Sequence, residues 1–88
     1  MITLLLEIVK PNAFTTGYYN PAPDCFKAYP RSENGVRKAI KRFEKVINET
    51  SDVENFRIAA YEGKKEYYNE KNFIGYIDSD TIRNEFWK

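Results

Sequence analysis

A chain of 88 residues is long enough for one small domain with a modest core, and too short for two. A charged fraction of 31% beside an aromatic fraction of 16% argues against a disordered chain. Fourteen basic against thirteen acidic side chains leave +1, which excludes a global field steering the molecule to nucleic acid or membrane and argues against an acidic nucleic-acid mimic.

Ile2 to Lys10 reads as a strand ended by Pro11. Leu4, Leu6 and Ile8 share one face; Thr3, Leu5, Glu7 and Val9 share the other. Both sets are largely apolar, which predicts a central strand with both faces partly covered. The apolar start is interrupted by Glu7, has no basic region before it and is too short for a membrane span.

Residues 11 to 31 hold all four prolines and five aromatic side chains. A structureless loop of that length is uncommon in a small domain. The sequence predicts a hairpin with arms Phe14 to Tyr19 and Cys25 to Tyr29 and a turn over Asn20 to Asp24. The alternative is an ordered loop pinned over the sheet by its aromatic rings.

Glu33 to Glu49 predicts the main helix. Val36, Ala39, Ile40, Phe43, Val46 and Ile47 recur at intervals of three and four and form one apolar stripe. Val36, Ile40, Phe43 and Ile47 are expected to be buried. Ser32 is the expected N-cap. Gly35 should weaken the first turn and delay the regular helix by a residue or two. Arg37, Lys38, Lys41, Arg42 and Lys45 make the outer face net basic, against Glu44 and Glu49.

Thr50 to Asn55 is turn-like. Phe56 to Glu62 alternates as a strand, with Phe56, Ile58 and Ala60 expected inward and Arg57, Ala59 and Tyr61 outward. Gly63-Lys64 fits a tight turn with glycine at positive φ. Lys65 to Asn69 and Asn72 to Asp78 complete an expected three-strand meander, and Gly75 suggests a bulge or a close packing contact. Asp78-Ser79-Asp80 would cap a short terminal helix docked through Ile82 and Phe86. The sum is a single α+β domain over residues 1–88, one main helix on a mostly antiparallel sheet.

The chemistry is sparse. The chain has no histidine, the usual general base near neutral pH and the commonest metal ligand. The lone Cys25 has no partner for an intramolecular disulfide, and Asp24 beside it should raise the thiol pKa. Asp78 and Asp80, with Glu85 beyond, resemble a short carboxylate pair for Mg²⁺ or Ca²⁺, but helix capping explains both aspartates. The glycines are too scattered for a phosphate-binding loop. Asn48-Glu49-Thr50 matches a glycosylation sequon and reads as chance. No catalytic residue, cofactor or metal is therefore expected.

Two surfaces remain as binding candidates. Seven tyrosines are more than so small a core needs, and tyrosine gives large contact area at small entropic cost. Tyr18 and Tyr19 stand out in the proline-rich stretch; the competing reading is that the rings cover sheet faces and pair across strands. Lys38, Lys41, Arg42 and Lys45 are the other set, where the competing reading is a solvated helix face. The expected function is a non-enzymatic protein-binding module, with a small nucleic-acid-binding protein as the alternative. Homodimerisation through a strand edge would use the same tyrosines. The large share of Lys, Asn, Ile, Tyr and Phe, all with A/T-rich codons, suggests a phage or mobile-element protein that modulates a host protein by occupying its surface. The expected setting is cytoplasmic and reducing.

Overall fold

A computed structural model describes residues 1–11, 17–64 and 70–77. Four strands and one helix make up the described fold: β1 (Ile2–Val9), β2 (Phe26–Tyr29), α1 (Glu33–Glu49), β3 (Asn55–Glu62) and β4 (Phe73–Ile77). The sheet runs β2-β1-β3-β4, and every pairing is antiparallel. This is the expected α+β arrangement. The expected strand over residues 65 to 69 and the expected C-terminal helix, with the Asp78–Asp80 pair, lie outside the described residues. β3 pairs directly with β4.

β1 is central, as its two apolar faces require. It pairs along its whole length with β3, from Ile2 opposite Glu62 to Val9 opposite Asn55. Its other edge carries β2, from Ile2 opposite Tyr29 to Leu5 opposite Phe26. Ile2, Leu4, Leu6 and Ile8 are at most 1% exposed and join Val36, Ala39 and Phe43 of α1 in the core, with Ile58, Ala60 and Ile77 from β3 and β4. Tyr29 meets Phe43 edge-on, ring centroids 6.5 Å apart.

The expected hairpin within residues 14 to 29 is not what forms. Tyr19 exchanges two backbone hydrogen bonds with Ile8, at 2.9 and 3.0 Å, and β2 pairs with Ile2 to Leu5. Tyr19, the end of the first expected arm, and β2, the second, thus lie along the same edge of β1, and residues 14–16 of the first arm lie outside the described residues. Between them the prolines set a 3-10 turn, Pro23–Cys25, which seats Cys25 in the core. Long, apolar β1 offers the nearest unpaired ladder, and the prolines prevent a regular ladder through 20 to 24.

α1 starts at Glu33, with no delay at Gly35. Ser32 Oγ accepts the Gly35 N–H at 3.1 Å, the expected cap. The glycine is there for space, since a methyl group would collide with the Pro30 carbonyl. Of the four stripe residues expected to be buried, Val36 and Phe43 are at 0% exposure, whereas Ile40 and Ile47 are half-buried flanks. Ala39 takes the central place, because its small side chain lets the helix approach the sheet.

Asp52 turns the chain after α1 with φ 61°, a left-handed position that aspartate tolerates. Ile58 and Ala60 of β3 point inward as expected, but Phe56 is 47% exposed. It lies beyond Ile58, the last β3 residue paired with β4, so no described strand flanks it on that side. Gly63 has the expected positive φ, 93°. Gly75, φ 153°, sits at a bulge: Ala60 pairs with Gly75 and Tyr61 with Phe73, leaving Ile74 as the extra residue.

Candidate functional site

The sheet face turned away from α1 carries a connected set of interacting side chains. Glu7 and Arg57 are opposite each other in the β1–β3 register, and Arg57 Nε donates to Glu7 Oε1 at 3.1 Å. The Glu7 side chain is only 14% exposed. The Arg57 guanidinium lies over two rings, 4.0 Å from the Tyr18 centroid and 4.8 Å from that of Tyr76. Partial burial works against its charge, but the hydrogen bond and charge of Glu7 outweigh that and raise the Arg57 pKa above its ordinary value. Asn55 Nδ2 donates to the Tyr18 hydroxyl at 3.0 Å.

From Tyr76 the rings continue across β4 and β3. Phe73 packs on Tyr76 with centroids 5.1 Å apart and on Tyr61 at 5.4 Å. Cross-strand pairing makes this row: Tyr76 opposes Ala59, and Phe73 opposes Tyr61. Small Ala59 and polar Thr3 are fully buried beneath it, and Thr3 Oγ1 donates to the Gly63 carbonyl at 2.9 Å. Phe73 (39% exposed), Ile74 (36%) and Tyr76 (46%) nevertheless present apolar surface to solvent.

The second surface is the outer side of α1. Lys38, Lys41, Arg42 and Lys45 are all exposed. Arg42 is engaged by Asp24, and Arg37 by Glu33 at 2.8 Å, one turn earlier. The hydrogen bond and charge of Arg42 hold the Asp24 carboxyl below its ordinary pKa. Lys38 and Arg42 face a cleft between α1 and β2 that also takes in Lys27 and Tyr29. Burial, then the charge of Asp24, pushes the Cys25 thiol pKa up, as its neighbour led us to expect. A buried, protonated thiol is a poor nucleophile.

The structure does not unite the sequence-derived candidates. Tyr18 belongs to the aromatic row on one side of the sheet. Tyr19 packs against the core on the other side, opposite Ile8. Lys38 and Arg42 line the cleft; Lys41 and Lys45 stand on the helix outside it. Sequence reasoning missed Arg57, Phe73 and Lys27. The first is signalled by opposite charges on two strands, Glu7 and Arg57, but only once their register is known. Among the described residues there is no cluster of three His, Cys, Asp or Glu side chains fit for a metal, and no helix long and apolar enough to cross a membrane. Comparison with protein-family models, curated proteins and solved structures finds no match.

Proposed function

We propose that this chain is a non-enzymatic protein-binding module whose contact surface is the aromatic row on the sheet face turned away from α1. The observation that carries this reading is Arg57 stacked between Tyr18 and Tyr76, with Phe73 and Ile74 exposed beside it. Tyrosine and arginine dominate interface hot spots, and a ring held by its neighbours has little freedom left to lose on binding. The nucleic-acid alternative is weakened by the ion pairs that occupy Arg37 and Arg42. A phage or mobile-element origin, with a host protein as the target, remains part of the proposal on the codon bias; a genomic neighbourhood of housekeeping enzymes alone would count against it.

The test combines a sizing column with capture of proteins from a host lysate on the immobilised chain. Phe73→Ala and Tyr76→Ala should each abolish retention of the captured protein, while the melting temperature shows the fold intact and Lys64→Ala retains it. Undiminished capture by both ring variants sinks the reading. A concentration-dependent dimer lost in the same variants would identify the partner as a second copy.

A further inference from the structure

The β2 edge of the sheet lies apart from the aromatic row. β2 is terminal in the strand order, and no described strand pairs with its outer side. Which of its backbone groups face outward follows from the ladder. Ile8 bonds toward the β2 side through its pair with Tyr19, whereas Met1 and Val9 carbonyls accept from Gly63 and Glu54 on the β3 side. Even positions of β1 therefore face β2, and their partners Lys27 and Tyr29 turn their N–H and C=O inward. Ala28, between them, turns its N–H and C=O outward.

Alongside this open pair lies the cleft between β2 and α1. Two adjoining cavities, about 320 and 310 Å³, share Lys27, Tyr29 and Lys38; the first also takes in Asp24 and Arg42, the second Ala28. Asp24 offsets Arg42, but Lys27 and Lys38 have no ion-pair partner among the described residues. Two uncompensated cations, contributed by a strand and a helix, thus flank one open stretch of backbone.

We propose that this edge binds an extended acidic peptide by strand addition. The peptide backbone pairs with Ala28, and alternate carboxylate side chains enter the cleft toward Lys27 and Lys38. Strand addition supplies main-chain hydrogen bonds, and the period of two places every second side chain on the helix side. The preferred sequence is acid-x-acid. A peptide fits better than nucleic acid because Tyr29, the only ring among the described residues that line the cleft, is 7% exposed and offers no open face for a base. With one outward backbone pair, binding is modest and falls with salt. The site is separate from the aromatic row and does not depend on its role.

The test uses the full chain and labelled hexapeptides read by fluorescence anisotropy. A peptide alternating glutamate with valine should bind saturably below about 1 mM, and the same peptide with lysine for glutamate should not. Lys27→Glu and Lys38→Glu should each weaken binding by about tenfold or more; Lys27→Gln and Lys38→Gln replace them if either variant melts early. Lys10→Glu, the same charge change at the other end of β1, should leave binding unchanged. N-methylation of alternate peptide amides should weaken binding in one of its two registers, and the Ala28 amide should gain hydrogen-exchange protection in the complex. Binding that ignores both cleft reversals, or that survives both methylation registers without protecting Ala28, overturns the proposal. So does a thymidylate oligonucleotide that binds more tightly and displaces the peptide.

Discussion

Gly35 shows how one residue ties α1 to the chain that precedes it. Elsewhere in a helix, glycine to alanine gains roughly 1 kcal/mol. Here the new methyl would meet the Pro30 carbonyl, at the point where Ser32 caps the helix with the Gly35 N–H. Relieving that collision means moving the cap or the β2–α1 connection. Gly35→Ala is therefore expected to destabilise by about 1–3 kcal/mol, the usual cost of overpacking. Thermal unfolding followed by circular dichroism checks it; a melting temperature at or above the parent's would show that the connection yields freely. Glu7 and Arg57 pose a different question at the same scale. Truncating Arg57 to methionine keeps its hydrocarbon but leaves the largely buried Glu7 without its donor. Because the Arg57 side chain is 35% exposed, solvent screening limits the loss to about 1–2 kcal/mol. Glu7→Gln should cost less, and the double variant should recover part of the loss. A coupling energy near zero in that cycle would mean the pair contributes geometry and no stability.

At the scale of elements, what could be read early was whatever depends on neighbours along the chain. The period of α1, the alternation of β1, the Ser32 cap and the Gly75 bulge are local, and the structure carries them all. What depends on distant partners was illegible. Nothing in Cys25 to Tyr29 says that β1, and not Phe14 to Tyr19, completes its ladder. Alternation assigned Phe56 to the core, yet its exposure is decided by where β4 stops. The same limit applies to the candidate site: nothing along the chain says that the sheet separates Tyr18 from the helix cations. The stripe of α1 makes this quantitative. Its period treats Phe43 and Ile47 alike, whereas Phe43 is fully buried and meets Tyr29, and Ile47 is a flank. Phe43→Ala should cost about 3–5 kcal/mol and Ile47→Ala clearly less, the cost rising with the cavity left behind. Chemical denaturation of both variants measures the gap. Equal losses would mean that Ile47 is as deeply packed as its periodicity alone implies.

At the scale of the whole molecule, the 3-10 turn, the end of β2 and the edge of α1 form a small electrostatic unit: Asp24, Cys25, Tyr29 and Arg42. Arg42, by hydrogen bond and charge, lowers the Asp24 pKa. Its contribution to stability is complete above the ordinary carboxylate value, roughly pH 4, and is lost as pH falls through the lower folded value. Cys25 and Tyr29 lie at the other limit. Burial is the largest cause that raises each pKa, followed for Cys25 by the charge of Asp24 and for Tyr29 by that of Cys25. Above about pH 8.5 the unfolded chain gives up the thiol proton first, and from about pH 10 the phenol proton, while the folded chain still holds both. Their stabilisation is therefore full below those values and is lost as pH rises through the folded ones. The expected profile, from urea midpoints between about pH 3 and pH 10, is a plateau with two falling limbs. Asp24→Asn should flatten part of the acid limb and leave the alkaline one. Cys25→Ala should lower the whole curve, because it opens a cavity, but it should also delay the start of the alkaline fall. The decisive quantity is the change of slope, from which the constant cavity cost cancels. An Asp24→Asn profile parallel to the parent's on the acid side would show that the Arg42 pair is too well solvated to couple to folding.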